Sequence, residues 1–287
     1  MPDLLKAFWQ LGKPGISVAV SLSALTAFLL SAQGFEAGWL PLVCGIFSLS
    51  FAASALNQIQ EQHHDSLMNR TKGRPLPSGQ VSQTQTWFLV ALGSLAGSFL
   101  LWLAGGIAAM LLGLINMLIY NGIYTPLKTK TLFAMLPGSL VGAVPPLIGW
   151  ISAGGPPLHT HIVLLAMFFF IGQIPHTWLI LIRYDAEYKQ AGFPNLSGFF
   201  SLNQAVRLSF IWVVATALSI VLFSVFGLFK HGTSSAGSMA VAFVMVIWYA
   251  GRVMEKNPER KIKHGFILLN AAYLAMMLLI MADSLIT

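Results

Sequence analysis

The stretch NQIQEQHHDSLMNRTKGRPLPSG, residues 57–79, ends an apolar run and sets Asn57, Glu61 and Asp65 four residues apart. On an α-helix each such step advances about 40° beyond a full turn, so the three side chains form one slowly winding stripe. Arg70, Lys72 and Arg74 follow at once, and Pro75, Pro77 and Gly79 close the segment as a loop. Only 9% of the chain is charged, yet two acids and three bases fall within residues 61–74. Two carboxylates and an amide oxygen on one stripe suit Mg²⁺, which takes a few carboxylates and fills its other positions with water and substrate phosphate. Guanidinium forks beside them suit phosphate oxygens. A solvated loop that marks one side of a membrane is the plainer reading of the same charges.

The rest of the chain says where this stripe stands. Of 287 residues, 56% are hydrophobic, with 20 Phe and 8 Trp, and mean hydropathy is +0.74. A soluble domain carries about 25% charged residues, so this composition fits a polytopic membrane protein. Apolar spans are predicted at 15–33, 39–58, 86–104, 107–124, 134–153, 161–182, 204–229, 235–252 and 265–285. Runs of that length must be helical, because lipid offers no partner to an unpaired backbone group. The expectation is an all-α bundle of nine transmembrane helices, read as a single integral-membrane domain over 1–287.

The bases test that count. Lys6 and Lys13 precede the first span; Arg70, Lys72 and Arg74 lie between the second and third, and Lys128 and Lys130 between the fourth and fifth. Arg183, Lys189 and Arg207 flank the sixth-to-seventh connection, and Arg252, Lys256, Arg260, Lys261 and Lys263 the eighth-to-ninth. With nine helices, fifteen of the sixteen bases share one side and Lys230 alone lies opposite. The positive-inside rule then puts the N-terminus and these loops in the cytoplasm. The same rule accounts for the net charge of +7, which has no basic, aromatic-interleaved surface to serve nucleic acid. Lys6 and Lys13 before Ile16–Leu30 superficially resemble a signal peptide, but no convincing cleavage site follows, so the run is read as the first helix. No transit peptide is evident, which favours a bacterial plasma (inner) membrane. Long polar connections at 59–85 and 183–203, and shorter basic ones at 125–133 and 253–264, each recur four helices apart, as two related halves plus a ninth helix would. Cys44, the only cysteine, excludes an intrachain disulfide and reads as packing.

Three further constellations carry polar chemistry. In IRYDAEYKQAGFPNL, residues 182–196, Asp185 and Glu187 point to opposite sides of a helix unless it is ending. One acid can then join the first stripe while the other holds Lys189 or Arg183; a solvated helix end is the plain alternative. Tyr184 and Tyr188 share a face, over a substrate or as interfacial anchors. In NMLIYNGIYTPLKTKT, residues 116–131, Asn116, Tyr120 and Tyr124 repeat every four residues ahead of Lys128, as a cavity lining or as helix–helix hydrogen bonds. In GQIPHTW, residues 172–178, His176 lies inside a span after Pro175; it is a satisfied interior group, a proton carrier, or a ligand to a flat metal-containing substrate. His63 and His64 are poor candidates for magnesium. No Walker loop, dinucleotide fingerprint, Ser-His-Asp set or CxxC is present.

Together these segments resemble the UbiA superfamily of intramembrane prenyltransferases, and within it the branch that farnesylates protoheme IX, the haem O synthases. The family's first motif, N-x-x-x-D-x-x-x-D-x-x-M-x-R-T-x-x-R-P, is matched by Asn57, Glu61, Asp65, Met68, Arg70, Thr71, Arg74 and Pro75. Tyr124-Thr125, GSLVGAVPPLIGW (138–150), PHTW (175–178) and EYKQAGFPNL (187–196) are similar to the same branch. Two departures stand out: Glu61 replaces the usual Asp, and Lys189 occupies the fourth position after Asp185, where quinone-type relatives repeat Asp.

The resemblance implies transfer of a farnesyl group from farnesyl diphosphate to a vinyl group of haem B, giving haem O. It implies Mg²⁺ on Asn57, Glu61 and Asp65, with Asp185 or Glu187 opposite. Arg70, Lys72, Arg74 and Lys128 would face the diphosphate from the other side. Asn116, Tyr120, Tyr124 and Tyr188 would bound the substrate, and His176 would face the haem. Lipid surrounds the chain, and an oxidase or a haem-modifying enzyme is a candidate partner. Competing expectations are a UbiA-type enzyme with an aromatic or quinone-precursor acceptor, a cation-coupled transporter, whose ionisable groups belong nearer the midplane, and a structural partner of a respiratory oxidase.

Overall fold

A computed structural model describes residues 2–253 and 258–286, so Lys256 lies outside the described residues. All regular structure among them is helical: α1 (Pro2–Leu11), α2 (Pro14–Ala32), α3 (Trp39–Leu67), α4 (Gln83–Leu118), a π-helical turn (Ile119–Tyr124), α5 (Thr125–Leu127), α6 (Met135–Ser152), α7 (Thr160–Arg183), α8 (Asp185–Gln190), α9 (Leu202–Val225), α10 (Gly232–Val253) and α11 (Pro258–Leu285). Eight of these stretches are long and apolar enough to cross a membrane.

One of the eight is two spans. With 36 residues, α4 would measure about 54 Å if straight, against a hydrocarbon core of about 30 Å. It breaks at Gly105 (φ −147°, ψ 24°) and Gly106 (φ 67°, ψ −160°). Gly106 holds a left-handed conformation that a side chain disfavours. Cut there, the spanning helices among the described residues are the nine expected from the sequence.

Chain neighbours are also spatial neighbours: α2 packs on α3, α3 on α4, α4 on α6, α6 on α7, α7 on α9, α9 on α10 and α10 on α11. The last helix returns to α2 and closes the ring, while α2–α6 and α7–α11 contacts cross it. Lipid is as apolar as leucine, so close packing rather than transfer from water must join these helices. Phe28, Phe168 and Phe223 are completely enclosed, whereas Phe88, Leu95 and Phe243 stand outward, about 70% exposed.

Helix α3 decides where the polar chemistry lies. At 29 residues it reaches about 44 Å, so its last turns, which carry Asn57 to Asp65, stand at one membrane face. Lys13, the 68–82 loop, Lys128 and the connection after α7 all meet α3 or its following loop at that same end. The alternate connections lie opposite, where Gly38 adjoins Ala104 and Gly105 adjoins Ser152.

Candidate active site

Asn57, Glu61 and Asp65 do share one face of α3, and all three are buried (1–4% exposed). Each is met by a cation from a different part of the chain. The Lys13 ammonium, at the α1–α2 corner, donates to Asn57 Oδ1 at 3.0 Å. Lys128, just past α5, forms an ion pair with Glu61. Arg74, from the loop after α3, donates to Asp65 Oδ2 at 2.6 Å. Asn57 Nδ2 also donates to Thr125 Oγ1 at 3.2 Å, and Thr71 Oγ1 caps the end of α3 on the Asp65 carbonyl at 2.9 Å.

Local field and burial act differently on the two lysines. Burial, the largest influence, would weaken Lys128's hold on its proton, but Glu61 together with Tyr124, Tyr188 and Tyr120 outweighs it and keeps the amine protonated above its ordinary range. Among the described residues the Lys13 ammonium donates to an amide alone; burial, then the Arg74 guanidinium, hold it well below the usual lysine range against the opposing pull of Glu61 and Asp65.

The π turn completes this wall. Its widened winding lets Asn121 donate to Ala53 O and Gln60 Oε1, both at 3.0 Å, and so locks the turn to α3. The Tyr120 and Tyr124 rings stack with centroids 5.6 Å apart, and Lys128 Nζ lies 5.6 Å above the Tyr124 ring. Asn116 lies near the end of α4, and its buried Oδ1 has no hydrogen-bond partner among the described residues. π-Helical turns are rare and recur at functional sites.

A chain whose acidic stripe is answered by three cations at one end of a membrane bundle matches the model of the UbiA prenyltransferase family over residues 20–277. The chain belongs to the UbiA prenyltransferase family. It is 32% identical over 284 residues to a protoheme IX farnesyltransferase of Oleidesulfovibrio alaskensis, covering 99% of this chain and 98% of that one. Its fold superposes on a digeranylgeranylglyceryl phosphate synthase with TM-score 0.78 at 15% identity, covering 99% of both chains. A UbiA homologue of Archaeoglobus fulgidus, solved with geranyl diphosphate and Mg²⁺, gives TM-score 0.68 at 12% identity, covering 96% of this chain and 99% of that one. The chain is therefore a multi-pass membrane prenyltransferase.

In this UbiA chain the second acidic constellation divides its two carboxylates. Glu187 reaches the first motif, where Oε2 accepts from the backbone N–H of Arg70 at 3.0 Å. Asp185 turns away and accepts from the backbone N–H of Ser197 at 3.1 Å, where Lys189 or Arg183 had been expected. Tyr184 is covered by two guanidinium groups, Arg70 at 4.8 Å and Arg183 at 5.2 Å. Tyr188 packs with Met68, Ala191 and Phe193 under the same connection, and His64 is held there by Ala191 O at 3.1 Å. Arg70 and Lys72 remain exposed on the loop. His176 lies apart from the stripe, its ring 4.5 Å from Phe266 and its buried Nδ1 without a hydrogen-bond partner among the described residues.

Among the described residues no three His, Cys, Asp or Glu side chains converge as a self-sufficient metal cage. That is compatible with Mg²⁺, which binds through one or two carboxylates plus substrate phosphates. The buried oxygens of Asn57, Glu61 and Asp65 have the hard donor chemistry it requires. Lys13 and Asn121, which the sequence reading did not single out as site candidates, stand beside the stripe, as does Thr125 of the Tyr124-Thr125 segment. Lys13 had counted only as a marker of membrane side, and the π turn that brings Asn121 onto α3 leaves no periodic signal.

Proposed function

We propose that this prenyltransferase moves a farnesyl group from farnesyl diphosphate to a vinyl group of protoheme IX, forming haem O. The observation that carries the reading is the near full-length identity with the protoheme IX farnesyltransferase of Oleidesulfovibrio alaskensis. The proposal takes residues 1–287 as one integral-membrane domain in a bacterial inner membrane, with the stripe and its loops on the cytoplasmic side. It includes association with an oxidase or a haem-modifying partner, which would receive an acceptor and product too apolar to travel freely through water.

In this proposal Asn57, Glu61 and Asp65 hold Mg²⁺, and Glu187 closes the site through the Arg70 loop; Asp185 supports the connection from its bond to Ser197. When bound, the ion neutralises negative charge that builds on the departing diphosphate. Arg70, Lys72, Arg74 and Lys128 bind the phosphate oxygens. For Arg74 and Lys128 this means passing from a carboxylate partner to a phosphate one, so their charges are already positioned. The stacked Tyr120 and Tyr124 rings, with Asn116 beyond them, line the route of the prenyl chain and shelter its allylic end from water. Tyr188 and its apolar neighbours cover the mouth. His176, with an unpartnered ring nitrogen, meets the haem.

Membranes given haem B, farnesyl diphosphate and Mg²⁺ should yield haem O by mass. Haem left unmodified while a phenolic acid gains a prenyl chain would move the assignment to an aromatic acceptor. In purified protein, His176→Ala should abolish the haem-binding change in the Soret band yet leave pyrophosphate binding intact.

A further inference from the structure

The interior of the bundle holds polar groups that the stripe does not use. Proline has no N–H, so a proline inside a helix leaves the carbonyl four residues earlier without its helical donor. In α6, Pro145 and Pro146 do this to the carbonyls of Val141 and Gly142; in α7, Pro175 does it to that of Ile171. Lipid offers such groups no partner, so they must pack within protein or line a cavity. Gln173 stands beside them. A Cβ built on Gly142 would lie 3.7 Å from Gln173 Oε1, and one on Gly138, a turn nearer the stripe, would lie 2.8 Å from the Tyr124 ring. One face of α6 therefore meets the proposed prenyl route at Gly138 and the Gln173 amide at Gly142. Val141, Gly142 and Gln173 are each only partly buried, and the Gln173 side chain makes no hydrogen bond among the described residues. Since α7 ends at Arg183 on the stripe's side, Gln173 lies roughly 15 Å inside the membrane.

An uncharged amide beside freed carbonyls suits neither a diphosphate nor a carboxylate. It suits a small neutral molecule that both donates and accepts, and water is the simplest. The proposed reaction consumes one. When the farnesyl carbon leaves its diphosphate and bonds to the outer carbon of the vinyl group, positive charge passes to the inner carbon, where haem O carries a hydroxyl. We propose that Gln173, with the freed Val141 and Gly142 carbonyls, holds the water that becomes this hydroxyl. The inference rests on the haem reading above. Gln173 Nε2 donates to the water oxygen and the carbonyls accept its hydrogens, which leaves one lone pair for the inner carbon. The C–O bond forms, one O–H bond breaks, and the proton leaves with pyrophosphate, the base that the first step sets free. A single water held a turn beyond Tyr124 reconciles two demands: the allylic cation is kept from water, and the cation that follows it is given one.

Without a held water, that second cation loses a proton instead and leaves an alkene lighter than haem O by one water. Gln173→Met removes the amide at nearly the same size, and Gln173→Glu keeps a donor and an acceptor there. The products from haem B, farnesyl diphosphate and Mg²⁺ are resolved by mass. The Met variant should raise the ratio of dehydrated product to haem O at least tenfold, and the Glu variant should return it most of the way. A ratio within twofold of wild type in the Met variant overturns the proposal, whatever happens to the rate. The wild-type protein supplies a second test that no misfolded variant can spoil. The hydroxyl-bearing carbon is stereogenic, so a held water delivers one configuration, carrying the label when the solvent is isotopically labelled water. Equal amounts of both configurations, or an unlabelled hydroxyl, would sink the water site. Absence of farnesylated haem of either mass, with pyrophosphate released onto another acceptor's account, would instead count against the haem reading itself.

Discussion

The Glu61–Lys128 pair has two duties that substitution can separate. It keeps two nearly buried charges satisfied in the protein as it stands, and it belongs to the proposed diphosphate site. Glu61→Gln should lower the thermal midpoint, because Lys128 is left with no carboxylate opposite; the cost is about 3 kcal/mol at most, since Lys128 keeps some exposure. It should also reduce turnover on the order of 10²–10³-fold, the usual loss when one electrostatic stabiliser is removed. Glu61→Asp retains a carboxylate of the length the family motif carries and should stay within about tenfold of wild type. Equal turnover by the Gln and Asp variants would show that this charge takes no part in the chemistry. Residues 57, 61 and 65 were legible because hydrophilic side chains at helical spacing are conspicuous in an apolar chain. Their cations were less so: Arg74 lies nine positions from Asp65, whereas Lys13 lies 44 from Asn57 and shares no pattern with it.

At the scale of the element, α4 shows what periodicity and length can each decide. Hydropathy alone runs continuously through residues 83–127, and the limit set by bilayer thickness is what calls for a break. Gly105-Gly106 supplies it. The space around Gly106 is open, so Gly106→Ala tests backbone conformation without a clash. It should destabilise the protein by about 1–3 kcal/mol, because a positive φ with an extended ψ is essentially confined to glycine, visible as a lower thermal midpoint in detergent. Prenyl transfer at 25 °C should persist, because the break lies at the membrane face opposite the stripe. An unchanged midpoint would mean that the reversal tolerates another backbone conformation. The π turn at 119–124 was not legible, since Asn116, Tyr120 and Tyr124 fit an α-helical stripe equally well. Its extra residue matters only because Gln60 and Ala53 of α3 receive Asn121.

Across the whole molecule, the site is assembled from connections distant in sequence. The α1–α2 corner, the end of α3 with its loop, the turn after α4 and the α7–α9 connection meet at one membrane face. The stripe alone sets two carboxylates among three cations, and in the proposed reading it takes a substrate anion together with Mg²⁺. Chelation with excess EDTA should abolish turnover while leaving the detergent-solubilised protein folded, and Mg²⁺ should restore it. Full activity after exhaustive chelation would remove magnesium from the mechanism. Persistence of the fold is expected because Lys13, Lys128 and Arg74 already satisfy the stripe without it.

The sequence by itself determined the class, the number of spans and the acidic stripe. Lipid permits helices of a fixed length and little else, and a four-residue interval fixes which side chains share a face. Tertiary structure alone decided which cation meets which oxygen, that Glu187 rather than Asp185 reaches the first motif, and that Lys13 meets an amide where Lys128 and Arg74 meet carboxylates. Those are matters of where separate chain segments cross, and a linear pattern holds no record of distances between segments that touch only after packing.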